Sequence, residues 1–219
     1  MKLLGILILV LTCVGCVGRY SPSVHVEYVE KETVGVETKV TGGTGTGFLV
    51  SRKGYVMTAA HVIRPRDVIG KVYVRLAGPL GPRREAKVIA VDYVNDLALL
   101  KIAPSSRHRV FKFCDRVRVG EWVKIVAFRH PQREKTMGTV LGYFSGSTTN
   151  FVTDAVVDYG FSGSPVVSAT RGCAIGVLQA MHVDRNLKDG IEYYSFGKHP
   201  MVSKIIMKAL SERAPEAIR

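Results

Sequence analysis

Short β-prone runs recur along this chain at a spacing of roughly ten residues, and Gly, Pro, Asn or Asp bounds each of them. Short runs separated by turn residues at this spacing favour sandwiches and barrels of antiparallel strands over helical folds. A polar stretch at residues 104–109 divides the runs into two groups. The sequence therefore predicts an all-β protein of two packed barrels. The runs occupy residues 47–50, 55–58, 72–75, 87–91, 97–102, 122–127, 138–143, 151–153, 165–168 and 174–178.

The C-terminal segment alone has a helical pattern. Apolar residues at positions 202, 205, 206 and 210 follow Pro200, which suits a first helical turn. We expect a helix and tail over residues 200–219, after a folded domain at residues 41–200. Its first barrel is predicted over about 41–104 and its second over about 110–197.

The first residues have the composition of an export signal. A positively charged end precedes the apolar run 3–11, which is too short to span a bilayer stably. A glycine followed by Cys16 resembles the bacterial lipobox, in which the cysteine is acylated after cleavage, although Cys13 stands where Leu is usual. Residues 1–15 are predicted to be a signal peptide and residues 16–40 a tether. Lipidation at Cys16, ordinary cleavage nearby and an uncleaved anchor are the alternatives.

These features predict an exported protein, either a membrane-anchored lipoprotein or a periplasmic or secreted protein.

The chain has 219 residues, and 31 Lys and Arg against 18 Asp and Glu give a net charge of +13. Such a balance points to nucleic acid or to an anionic membrane surface as a partner. Neither a recognition helix nor an aromatic stacking platform is evident, so nucleic acid is not expected.

The charge is unevenly distributed. The net charge is +5 over residues 64–84 and +6 over residues 107–135, but −1 over residues 136–182. We interpret the excess as a solvated surface that holds a tethered protein near anionic lipid or an acidic partner.

Two cysteines, Cys114 and Cys173, lie outside the predicted signal. In an exported protein they could form a disulfide, or each could be a small buried hydrophobic residue. The mature chain has no Cys-x-x-Cys or His-x-x-x-His spacing, so no metal site is expected.

Three short motifs carry the chemistry. His61 follows an apolar strand, Asp96 precedes the apolar run 97–100, and Ser162 lies between glycines in the loop 160–165. Taken singly, they would be a structural histidine, a capping or surface carboxylate, and a turn. Taken together, they supply a hydroxyl nucleophile, an imidazole that accepts its proton and a carboxylate that orients the imidazole. The order His-Asp-Ser excludes the subtilisin and α/β-hydrolase arrangements.

On these motifs the sequence resembles the chymotrypsin-fold (trypsin-like) serine proteases, and among them the HtrA (Deg)-type and glutamyl-endopeptidase-like bacterial branch. The resemblance covers residues from about 42 to 197. It rests on motifs at residues 43–50, 54–62, 96–102, 120–126, 153–155, 160–165 and 174–177.

The resemblance implies two antiparallel six-stranded β-barrels with the active site between them. It implies a serine endopeptidase that acts on protein or peptide substrates in the cell envelope and needs no cofactor. His61 would be the general base, Asp96 its orienting carboxylate and Ser162 the nucleophile. The N–H groups of Gly160 and Ser162 would form the oxyanion hole.

Two residues depart from the family pattern. Phe161 stands where the family usually has Asn or Asp, and Ser164 replaces the second glycine of the motif. Ser164 is also the nearest rival nucleophile, but its place before Pro165 makes it the weaker candidate. These departures motivate the alternative of a catalytically inactive trypsin-fold binding module.

The substrate pocket is expected to involve Val156, Val157, Gln179 and Ala180, with Val156 near its floor. An apolar floor favours a medium apolar residue such as Val, Ala or Leu at the cleaved position over Lys, Arg or Glu. HtrA-type enzymes usually carry a PDZ domain, but only some twenty residues follow the last predicted strand, so none is expected in this chain.

Overall fold

A computed structural model describes residues 33–76, 81–104, 109–129, 132–144, 146–187 and 190–218. The strands of these ranges form two closed barrels of six strands each, and every pairing between neighbouring strands is antiparallel. The predicted fold class is therefore confirmed.

Barrel 1 is closed by pairing of its first strand with its fourth. The spatial order of its strands is β1-β2-β3-β6-β5-β4. The strands are β1 (Thr33–Thr38), β2 (Thr44–Ser51), β3 (Tyr55–Thr58), β4 (Val72–Arg75), β5 (Arg83–Asp92) and β6 (Leu97–Lys101).

Barrel 2 repeats this arrangement, because its strands follow the order β7-β8-β9-β12-β11-β10 and β10 pairs with β7. The strands are β7 (Trp122–Arg129), β8 (Gln132–Tyr143), β9 (Asn150–Thr153), β10 (Pro165–Ser168), β11 (Ala174–Leu187) and β12 (Gly190–Lys198).

Each barrel has its own apolar interior, and a third apolar cluster joins the two barrels. This third cluster combines residues of barrel 1, barrel 2 and the C-terminal helix, so that burial of one shared surface fixes all three bodies. Its members larger than valine are Phe48, Tyr55, Met57, Leu97, Leu99, Phe111, Ile206 and Leu210.

The predicted tether over residues 16–40 is too long. Residues 33–38 form β1, in which Val34 and Val36 are fully buried inside barrel 1. The sequence pattern missed β1 because Gly35 interrupts it and because its partners β2 and β4 lie at a distance along the chain. Residues 16–32 of the predicted tether, with the lipidation candidate Cys16, and the predicted signal peptide lie outside the described residues.

The C-terminal helix begins four residues later than predicted. Residues Pro200–Val202 form a single 3₁₀ turn, and α1 spans Lys204–Arg213. Ser203 sets this start, because its side chain accepts a hydrogen bond from Ile206 N at 3.1 Å and so caps the helix. Ile205 of the predicted apolar stripe faces solvent. Among the described residues no helix is long and apolar enough to cross a membrane.

Cys114 and Cys173 form a disulfide, which decides between the two alternatives left open by the sequence. The bond joins the segment between the barrels to the turn that precedes β11. Beside it, Phe113 pairs with Ala174 as an isolated bridge. The connection between the barrels is thereby fixed to barrel 2.

Ser203 also connects α1 to barrel 1. Its hydroxyl group donates a 2.6 Å hydrogen bond to Asp92 Oδ2 at the end of β5. Burial raises the pKa of the Asp92 carboxyl group, but hydrogen bonds from Asn95 and Ser203 outweigh burial, so the pKa lies below its ordinary value of 3.8.

We predict that Ser203→Ala lowers the free energy of unfolding by about 1–2 kcal/mol at neutral pH, because it removes a helix cap and a hydrogen bond to a carboxylate. The folded-state pKa of Asp92 is lowered, so its stabilisation is present above the unfolded-state pKa and is lost as the pH falls through the folded-state value. The difference from wild type should therefore shrink in acid. Urea denaturation at several pH values measures it.

Ser211→Ala is the matched control. Ser211 also lies on α1, but its hydroxyl group is exposed and bonds only the carbonyl group of Lys208. Equal losses in the two variants would contradict the assigned role of Ser203.

Candidate active site

His61 lies at the edge of barrel 1, just after β3. One 3₁₀ turn, Ala60–Val62, follows the strand, and Ile63 N closes it by donating to Ala60 O at 2.8 Å. Ala60 and Val62 are buried, which leaves the His61 side chain 48% exposed. The apolar neighbours thus anchor the turn and direct the imidazole away from the core.

Asp96 occupies the tight turn between β5 and β6. Its φ of +52° lies in the left-handed region, which Asp tolerates better than most residues. Asp92 braces this turn: Oδ1 accepts from Asn95 N at 3.0 Å and Oδ2 from Asn95 Nδ2 at 2.7 Å. The Asp92 carboxylate therefore holds this turn and also accepts the hydrogen bond from Ser203.

His61 and Asp96 contact each other at two points. Asp96 Oδ2 lies 2.8 Å from His61 Nδ1, and Asp96 Oδ1 accepts a 2.8 Å hydrogen bond from the backbone N–H of His61. Two contacts fix both the position and the rotation of the ring. A neutral imidazole that donates from Nδ1 has a free lone pair on Nε2, the atom that can accept a proton.

Ser162 lies in the loop between β9 and β10, flanked by two glycines with positive φ. These values are +91° at Gly160 and +86° at Gly163, which only glycine adopts without strain. A Cβ atom at Gly163 would overlap Thr46 O and Thr58 Oγ1. The loop of barrel 2 therefore lies directly against the backbone of barrel 1.

Thr46 of β2 makes the contacts across this interface. Its N–H group donates to Ser162 O at 2.8 Å, and its hydroxyl group donates to Gly160 O at 2.7 Å. The same hydroxyl group accepts a 2.7 Å hydrogen bond from Phe128 N. This role was not predicted from the sequence, where its only signal is a threonine between glycines in the 43–50 motif.

Gln179 of β11 connects the remaining parts of the site. Its side-chain Nε2 donates to Asn95 O at 2.7 Å and to Asp96 O at 3.1 Å. Its backbone carbonyl group accepts a 3.4 Å hydrogen bond from Ser162 Oγ, close to the upper limit for such a bond. Gln179 was predicted as a pocket residue, and it also joins the turn of Asp96 to the loop of Ser162.

The structure thus brings Ser162, Gln179, Asp96 and His61 into one continuous contact chain. Among the described residues, no hydrogen bond joins Ser162 Oγ to the imidazole, since the hydroxyl group is directed to Gln179 O. The N–H groups of Gly160 and Ser162 also have no hydrogen-bond partner within the described part of the chain. Unpaired backbone donors beside a hydroxyl group can stabilise an oxyanion when both of them point at it.

The two departures from the family motif have separate structural roles. Phe161 is almost fully buried in the apolar interior of barrel 2, so its side chain anchors the loop of Ser162 to that barrel. Ser164 is fully buried, and its Oγ has no hydrogen-bond partner among the described residues. Its burial closes Ser164 to any substrate.

A concavity of about 270 Å³ lies beside Ser162. Of the predicted pocket residues, Val157, Gln179 and Ala180 line it. Val156, the fourth predicted pocket residue, does not line this concavity but a neighbouring one, together with Lys135 and Thr136. In this extended segment successive side chains face opposite ways, so Val157 is buried and Val156 is 55% exposed.

Within the described ranges, no group of three His, Cys, Asp or Glu side chains is placed to hold a metal ion. The candidate site itself supplies a hydroxyl group, an imidazole, a carboxylate and backbone N–H groups.

A comparison with known protein families shows which family the chain belongs to. A family model described as a trypsin-like peptidase domain matches residues 45–177, which include His61, Asp96 and Ser162. The chain belongs to this trypsin-like peptidase family.

The trypsin-like domain has curated relatives of the HtrA and DegP type. Serine protease HTRA4 of Mus musculus is 32% identical over 216 residues, which cover 87% of this chain and 43% of the relative. A probable periplasmic serine endoprotease DegP-like of Chlamydia trachomatis is 34% identical over 148 residues, which cover 63% of this chain and 28% of the relative. The chain thus spans less than half the length of these curated relatives.

Solved structures agree with the trypsin-like fold. The serine endoprotease from Yersinia pestis superposes with a TM-score of 0.68 at 24% identity, covering 86% of this chain and 66% of that one. Deg5 superposes with a TM-score of 0.61 at 26% identity, covering 71% and 82% of the two chains.

We predict that Gly163→Ala lowers the free energy of unfolding of the trypsin-like domain by about 3 kcal/mol, because overlap with barrel 1 adds to the cost of a positive φ. Gly120→Ala is the control: Gly120 has a φ of +79°, but a Cβ atom there would meet nothing within 4 Å. The control should lose only about 1 kcal/mol. Equal losses in urea denaturation would show that the loop does not press on barrel 1.

Proposed function

We propose that this protein is a serine endopeptidase in which Ser162 is the nucleophile, His61 the general base and Asp96 the carboxylate that orients it. The observation that carries the proposal is the two-point contact of Asp96 with His61, at 2.8 Å to Nδ1 and 2.8 Å to the backbone N–H. A purely structural histidine would need only one of these contacts. The backbone contact fixes the carboxylate, and the contact with Nδ1 then fixes the ring rotation, on which proton transfer at Nε2 depends.

The proposed reaction proceeds in two halves through an acyl-enzyme. Ser162 Oγ attacks the peptide carbonyl carbon as His61 Nε2 takes its proton, and the N–H groups of Gly160 and Ser162 stabilise the tetrahedral oxyanion. His61 then protonates the departing amine. Water attacks the acyl group by the same path, and Ser162 regains its proton.

Ser162 has to leave its bond to Gln179 O before it attacks. At 3.4 Å that bond is long, and a rotation about χ1 moves the hydroxyl group without moving the backbone. The loop itself is held by Thr46, so we propose that the reorientation is confined to the side chain.

We predict that a fluorophosphonate probe labels the wild-type protein and Ser164→Ala, but not Ser162→Ala. Ser164 is the matched control because it is two residues away, buried and without a hydrogen-bond partner in the described ranges. Labelling should slow in acid, because a protonated imidazole cannot accept the proton of Ser162. Gel fluorescence after timed labelling measures the rates.

Absence of label on the wild-type protein would favour the inactive trypsin-fold binding module instead. Equal labelling of wild type and Ser162→Ala would mean that another serine reacts.

The concavity beside Ser162 supports a preference for a medium apolar residue at the cleaved position. Its walls include Val157, Leu178, Ala180 and Met181, and its acidic member Asp158 is exposed to solvent. A basic residue would gain little from a carboxylate screened by water.

We predict that peptides with Val, Leu or Ala at the cleaved position are hydrolysed with a kcat/KM about tenfold higher than those with Arg or Glu, a difference of about 1.4 kcal/mol in transition-state binding. Internally quenched peptides that differ only at that position measure it. A profile dominated by Arg, Lys or Glu would contradict this prediction.

We also propose that the protein acts outside the cytoplasm, in processing or quality control of envelope proteins. The apolar N-terminal run and a relative described as periplasmic support export. Attachment through Cys16 and binding of the basic surface to anionic lipid remain proposals that rest on the sequence alone.

A further inference from the structure

A second concavity, of about 310 Å³, lies in barrel 2 next to the candidate active site. Three phenyl rings line it: Phe144 after β8, Phe151 in β9 and Phe196 in β12. The rest of its lining is Asn150, Gln179, Gly197 and Lys198. We call this concavity the aromatic recess. Its volume is at the lower end of the range of ligand pockets, roughly 300–1,000 Å³, and suits one large side chain.

The walls of the aromatic recess are already ordered. Phe151 is fully buried, and a Cβ atom at Gly197 would overlap the tip of its ring, so the glycine lets the ring approach β12 closely. Phe144 contacts Phe196 edge to face, with ring centroids 5.4 Å apart and an interplanar angle of 80°. A ring held in this way loses little conformational entropy when a ligand binds.

Phe144 is nevertheless 54% exposed. Its ring is a large apolar surface that the fold orients but does not cover. Burying the rest of that surface against a partner would be favourable, and an aromatic partner would gain further from ring contacts.

Gln179 connects the aromatic recess to the candidate active site. The same residue lines the recess and the concavity beside Ser162, and its carbonyl group bonds Ser162 Oγ. The aromatic recess and the concavity beside Ser162 are therefore neighbours that share one residue of β11. An extended chain advances about 3.3–3.6 Å per residue, so the recess is within reach of a side chain a few residues from the scissile bond.

The charge of the lining residues indicates which class of substrate side chain the aromatic recess can bind. Of the described residues that line the aromatic recess, Lys198 alone is charged. Its ammonium group disfavours Lys or Arg in the recess and is attracted to the face of an aromatic ring.

We propose that the aromatic recess binds an aromatic side chain of the peptide substrate, within about four residues of the scissile bond. The proposal rests on the proposed function, and it means that two separate side chains of the substrate determine specificity. One occupies the concavity beside Ser162, and the other occupies the aromatic recess.

A peptide series tests the proposal. The reference, called the all-alanine peptide, has Val at the cleaved position and Ala elsewhere. In each test peptide one Phe replaces Ala at one of the other seven positions within four residues of the scissile bond. Binding to the full-length Ser162→Ala protein is measured by fluorescence anisotropy, and hydrolysis by the wild-type protein is measured in parallel. We expect Phe at one position to tighten binding and to raise kcat/KM about tenfold over the all-alanine peptide.

Phe144→Ala, introduced into both proteins, should abolish this gain and leave hydrolysis of the all-alanine peptide unchanged. Leu141→Ala is the matched control, since Leu141 is on β8, is 46% exposed and does not line the aromatic recess. The control should keep the full gain. Both substitutions remove exposed side chains, and equal urea midpoints would verify that each variant is folded.

Two outcomes would overturn the proposal. One is an equal response to Phe at every position, and the other is a gain that survives Phe144→Ala. Selective binding of the Phe peptide to Ser162→Ala, without hydrolysis of any peptide by the wild type, would retain the aromatic recess and refute the proposed peptidase activity instead.

Discussion

The hydrogen bonds of Thr46 across the interface between the barrels are the contacts on which the candidate site depends. Ser162 belongs to barrel 2, whereas His61 and Asp96 belong to barrel 1, so nothing in either barrel alone sets their separation. Thr46 bonds the loop of Ser162 on two of its carbonyl groups, and Gly163 permits the close approach that these bonds need. Because backbone groups at a buried interface must be paired, this arrangement has few alternatives.

Barrel 1 is supported in turn by the C-terminal helix. Ser203 bonds Asp92, Asp92 bonds Asn95, and Asn95 is the neighbour of Asp96. Gln179 reaches the same turn from barrel 2. A residue with a positive φ is thus held from two sides, as expected where a strained backbone has to stay in place.

Much of the fold was predictable because alternating apolar residues and turn residues act locally. Ten of the twelve strands in the described ranges overlap runs found in the sequence. The exceptions are β1 and β12. The strand β1 shows why local sequence patterns do not find every strand. With Gly35 at its centre it has a weak pattern of its own, and it is a strand only because β2 and β4 supply its hydrogen bonds. The helix start was missed for a similar reason, since Ser203 caps α1 while bonding a residue of barrel 1.

The sequence by itself determined the β-barrel class and the residue types of the candidate site, because strand periodicity and reactive side chains can be read from local order. Tertiary structure decided everything that depends on distance. It paired Cys114 with Cys173, buried Ser164, placed Val156 outside the concavity beside Ser162 and made Gln179 a second link between the barrels, beside Thr46. Each of these outcomes depends on which distant strand lies alongside, and that is fixed only when the two barrels close and pack together.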